Sequence, residues 1–129
     1  MHSRLAPLAL VALLSSVTVA QIPDTRDPAV AKKLRAELTK AEATYKKAKA
    51  AYTKKPKDTK LRKAYIDATV NFGTVTMNSP LLAPKEKYPR ALRLYNEALK
   101  LDPKNKEATN NKQLIEQIYK QMGKPVPKG

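Results

Sequence analysis

Residues 88–105 read YPRALRLYNEALKLDPKN, and this stretch decides the fold. Tyr88, Ala91, Leu92, Tyr95, Ala98 and Leu99 recur at the three- and four-residue intervals that place side chains on one face of a helix. The pattern predicts a helix from Tyr88 to Leu101. Asp102-Pro103-Lys104-Asn105 then forms a turn, because Pro lacks a backbone donor and keeps the residue before it out of the helical region.

Downstream, Ala108, Ile115, Ile118, Tyr119 and Met122 predict a further helix, and Gly123 followed by Pro125 and Pro127 ends it. The tail 124–129 is expected to be flexible. Upstream, Ser79–Lys87 holds two prolines and is predicted to be an exposed, mobile loop. Before it, Leu61, Tyr65, Ala68, Phe72 and Val75 form the stripe of a helix that Asp58 can cap and Asn78-Ser79-Pro80 breaks. The longest predicted helix opens at Asp27-Pro28 and runs to Lys54, with Leu34, Leu38, Ala41, Tyr45, Ala48 and Tyr52 on one stripe. The expected fold is therefore all-α, with four helices in antiparallel hairpins.

The aromatic residues lie on these stripes. Tyr45 and Tyr52, Tyr65 and Phe72, and Tyr88 and Tyr95 are each seven residues apart, so each pair keeps to one side of its helix. Such rings can stack on nucleic-acid bases. Because Leu and Ala share the same stripes, the rings are expected to fill the core instead.

The chain has 129 residues, three Gly, no Cys, no Trp and one His. Length favours a single domain. Residues 1–20, MHSRLAPLALVALLSSVTVA, have the charged, apolar and small-residue parts of a secretory signal peptide, with cleavage expected after Ala20. Pro7 interrupts the apolar run, which falls short of the roughly 20 residues that span a bilayer. The expected organisation is a leader over 1–20, a helical-repeat domain over 21–123 and a tail, in a protein that is secreted or periplasmic. With His2 in the leader, the remaining chain has neither imidazole nor thiol, so no metal site or cofactor is expected.

Ala41-x-x-x-Tyr45-x-x-Ala48 recurs fifty residues later as Ala91-x-x-x-Tyr95-x-x-Ala98. Alanine lets two helices approach closely, and the Tyr fills the space beside the contact. Repetition on this scale indicates stacked hairpins. Together with the Leu101-Asp102-Pro103-x-Asn105 turn, the 88–105 stretch resembles the second helix of a tetratricopeptide repeat. Tyr65-x-x-Ala68-Thr69-x-x-Phe72 is similar to that family's first helix, with Thr69 where Gly is usual and about ten extra residues between the two halves. The resemblance implies a short tetratricopeptide-like array that holds an unidentified protein or peptide in a groove. Its groove positions here would be Lys63, Ile66, Val70, Gly73 and Thr74. Arrays usually need about three units, so either the long first helix completes this core or copies of the chain associate.

Charge supplies an alternative function. Without the leader the chain carries 25 basic and 11 acidic side chains, a net +14. Thirteen of the basic residues lie between Lys32 and Lys63 against Glu37, Glu42 and Asp58. Lys46, Lys47, Lys49, Lys54 and Lys55 would form a polyanion-binding face of an envelope protein. Lysine far outnumbers arginine, whereas bidentate phosphate and base recognition favours arginine, so specific nucleic-acid binding is not expected. Weak, salt-sensitive adhesion to polyanions is. For catalysis, Glu37 with Glu42 and Asp102 with Glu107 are five residues apart and diverge around a helix. No Gly-rich phosphate loop or Ser-centred elbow is present. Asp67 and Glu97 are expected to pair with Lys63 and Arg93. No enzymatic activity is expected.

Overall fold

The computed structural model describes residues 21–128; the predicted leader lies outside the described residues. Four helices follow in order: α1 Pro28–Lys54, α2 Thr59–Asn78, α3 Pro84–Leu101 and α4 Lys106–Gln121. The starts of α1 and α2 use the expected chemistry, and α4 is capped in the same way. The Asp27 carboxylate accepts from the Ala29 N–H at 2.8 Å, Asp58 from the Lys60 and Leu61 N–H groups at 3.0 Å each, and Asn105 from the Ala108 N–H at 2.9 Å. At the far end Gly123 adopts φ 64°. There the Lys124 N–H bonds the Tyr119 carbonyl and the Gly123 N–H the Lys120 carbonyl, closing α4 with a left-handed glycine cap.

The third helix begins four residues earlier than the sequence pattern predicts. Pro84 occupies its first turn, where a missing N–H costs nothing, and Pro89 lies inside the helix. Pro89 forgoes one ladder bond, to the carbonyl of exposed Lys85. The connection shrinks to Ser79–Ala83 and is anchored, which corrects the expectation of an exposed, mobile loop. Ser79 is buried, its hydroxyl accepts from the Leu81 N–H at 3.3 Å, and its carbonyl accepts from Lys87 Nζ at 3.3 Å. Leu81 and Leu82 are half-buried beside it.

Helix α2 is the centre of the array and packs against each of the other three. One side of it carries Phe72, which joins Ala41 of α1 and Leu94 of α3. Another carries Ile66, Val70 and Met77, packed with Leu92 and Tyr95 of α3 and Ile115 of α4. Between Asp67 and Asn78 the helix has no charged residue, as befits a helix covered on several sides. Ala91, Tyr95 and Ala98 are wholly buried. The equivalent Ala41 is buried, but Tyr45 and Ala48 are only half-buried. The same motif sits at two depths because α1 is covered on one side only.

The aromatic rings fill helix interfaces, as expected. Tyr45 lies 5.5 Å from Phe72 and 6.2 Å from Tyr65, and Tyr52 lies 5.3 Å from Tyr65, all tilted. Tyr88 meets Tyr119 edge-on at 6.3 Å, tying α3 to α4.

Candidate functional site

Two side-chain networks tie the helices together, one centred on the half-buried carboxylate of Glu97 and one that ends on the exposed carboxylate of Glu107. Glu97 of α3 accepts from Tyr45 at 2.8 and 3.0 Å, from Tyr65, and from Lys49 Nζ at 2.9 Å. Lys49 also donates to the Tyr45 hydroxyl at 3.2 Å. The partner of Glu97 is thus Lys49 of α1, not Arg93 four residues back on its own helix; the Asp67–Lys63 pair forms as expected, at 2.6 Å. Burial opposes the charge on Glu97, but the donors from Tyr65, Lys49 and Tyr45 outweigh it and hold the carboxyl below its ordinary value. The contact with Glu97 raises Lys49, and burial with the nearby carboxylate raises both tyrosines.

A second network joins α2, α3 and α4. Asn111 donates to the Tyr95 hydroxyl at 3.1 Å and to Thr74 Oγ1 at 3.3 Å, while Thr74 donates to Glu107 at 2.8 Å. With its one hydrogen committed to Glu107, Thr74 accepts from Tyr95, 3.1 Å away. Donation therefore runs from Asn111 through Tyr95 and Thr74 to Glu107. Arg62 of α2 adds a further tie by donating to the Leu101 carbonyl at the C-terminus of α3.

The groove positions implied by the family resemblance do not come together on an open surface. Ile66 and Val70 are buried in the core with α3 and α4, and Gly73 is buried beneath Tyr95. Thr74 is engaged in the second network, and Lys63 alone is exposed, paired with Asp67. This corrects the expectation of a groove at these positions: the α3–α4 hairpin covers the face of α2 that carries Ile66 and Val70. On the α4 side, what remains open beside α2 is polar. Asp67, Asn71, Lys106 and Glu107 border a hollow of about 350 Å³ between α2 and the start of α4.

The predicted basic residues divide into two groups. Lys46 pairs with Glu42 at 2.8 Å, and Lys49 is held by Glu97. Lys47, Lys54 and Lys55 are exposed, make no ion pair among the described residues, and frame a depression of about 410 Å³ floored by Ala50, Ala51 and Leu61.

Sequence reasoning missed Glu97, Glu107 and Asn111 as network members. The available signal was the tyrosines, since a phenol on a buried stripe needs a hydrogen-bond partner. Among the described residues no three His, Cys, Asp or Glu side chains cluster to hold a metal ion, and no helix is long and apolar enough to cross a membrane. Comparison with protein-family profiles, curated proteins and solved structures finds no match.

Proposed function

We propose that the protein is an exported, non-enzymatic protein-interaction module of tetratricopeptide type. The observation that carries this reading is the packing of α1, α3 and α4 around α2, with Tyr95 set between two wholly buried alanines and against Gly73. Helices that pack in chain order with such close approach form the unit of stacked-hairpin arrays, whose use is to present a fixed surface to another protein. The surface offered here is the polar hollow between α2 and α4, lined by Asp67, Asn71, Lys106 and Glu107. It suits an extended peptide with hydrogen-bonding side chains of both charge signs better than an apolar segment.

Pulldown from the native envelope with the parent protein and with an Asn71→Arg, Lys106→Glu variant tests this. One defined partner retained by the parent at high salt and lost by the variant supports the proposal. Retention only at low salt, equal for both proteins, favours adhesion to polyanions through Lys47, Lys54 and Lys55. Sequencing the amino terminus of the secreted protein tests export, with Gln21 expected as the first residue.

A further inference from the structure

Opposite its buried stripe, α1 carries a second seam. Lys33, Ala36, Lys40, Ala43, Lys47, Ala50 and Lys54 follow one another at alternating intervals of three and four residues, and all seven are exposed. At 100° per residue this seam lies about 150° around the helix from the Ala41–Tyr45–Ala48 stripe, and its lysines repeat about every 10.5 Å along the axis. None of the four lysines makes an ion pair among the described residues. Glu37 and Glu42, the carboxylates of α1, lie off the seam. At its C-terminal end the seam opens into the depression floored by Ala50, Ala51 and Leu61.

We infer that this seam docks an acidic amphipathic helix of a partner protein. Alternating three-and-four spacing is the repeat on which two helices supercoil, so a partner helix with Glu or Asp every seventh residue meets each lysine in register. The intervening alanines let its backbone approach closely. The alanine and leucine floor receives one apolar side chain of the partner. That floor discriminates against a nucleic acid or an acidic polysaccharide, which satisfies the lysines and leaves the apolar depression unused. The seam bears no aromatic or arginine to stack on bases and no large apolar residue to enter a bilayer. A second copy of this chain is disfavoured, because two lysine seams repel. This surface is separate from the α2–α4 hollow, so either can fail without the other.

The test is fluorescence anisotropy with the purified protein and a labelled synthetic helix of four heptads bearing Glu at one seam position and Leu at the other. A peptide of identical composition but scrambled spacing is the control. The in-register peptide is expected to bind at least about tenfold more tightly at about 150 mM salt, where exposed charges are largely screened. Lys40→Glu with Lys47→Glu should lose about tenfold or more, whereas Lys57→Glu with Lys60→Glu, the same charge change off the seam, should lose less than about threefold. All four positions are exposed, and circular dichroism verifies that the variants fold. Equal affinity for the two peptides, or equal losses from the two lysine pairs, overturns the inference. Tighter binding of duplex DNA or heparin than of the in-register peptide also overturns it.

Discussion

The ring of Tyr95 lies so close to the backbone of Gly73 that a Cβ built on Gly73 would stand 2.8 Å from the ring's Cε1. The ring cannot swing away, because it is wholly buried and its hydroxyl is tied to Thr74 and Asn111. Glycine in the middle of α2 thus serves the approach of α2 to α3, at the expense of intrinsic helix propensity.

Gly73→Ala tests that relationship by sign. In an unobstructed helix the change should stabilise by about 1 kcal/mol. Here overpacking of about 1–3 kcal/mol opposes it, and a net loss of about 1 kcal/mol is expected. A higher thermal midpoint in the variant would show that the two helices do not meet at this point.

Tyr95 itself separates packing from hydrogen bonding. Tyr95→Phe keeps the ring but leaves Asn111 and Thr74 short of a partner, and should cost about 1–2 kcal/mol. Tyr95→Ala should cost about 3–5 kcal/mol through the cavity it leaves. Urea denaturation of both variants measures the difference, and equal losses would mean that the hydroxyl network contributes all of it.

Double replacement of Ile66 and Val70 by Glu is expected to unfold the domain, since each charge would enter the α2–α3–α4 core without a counterion. Circular dichroism at room temperature reads the outcome directly. Retained native helicity would place both residues on an open face.

The Glu97 cluster makes stability depend on acid. Its carboxyl titrates below its ordinary value in the folded protein, so its stabilising contribution is fully present above the unfolded-state pKa of about 4.3. That contribution disappears as pH falls through the lower folded value. As pH falls below the unfolded-state value, the parent should therefore lose thermal stability more steeply than Glu97→Gln, whose neutral amide has no proton to gain. Parallel melting curves for the two proteins over this fall in pH would sever Glu97 from the docking of α1.

Local signals were sufficient for what local chemistry controls. Asp27 and Asp58 announced two helix starts, Gly123 announced a stop, and the seven-residue aromatic spacing marked faces that the structure does bury. The start of α3 lies at Pro84, four residues before the expected one, because Pro89 is tolerated in the helix interior; that tolerance depends on where the forgone bond points, which is not a property of a sequence window. Charge spacing also gave the Lys63–Asp67 pair, which needs only one helix turn.

Glu97 marks the limit of that reasoning. Within its own helix Arg93 was the natural partner; across the fold, Lys49, Tyr45 and Tyr65 arrive from α1 and α2 and together desolvate and hold the carboxylate. Ile66 and Val70 mark it too, since periodicity identifies an apolar face without saying which helix covers it. The sequence by itself determined the four helices, the starts of α1 and α2, the stop of α4 and the faces that must leave water. Only the tertiary structure decided that α2 would be enclosed by α1, α3 and α4, which converts an expected groove into core and leaves the lysine–alanine seam of α1 facing solvent. The physical reason is that propensity and capping act within a few residues of chain, whereas burial depends on which surfaces distant segments bring together.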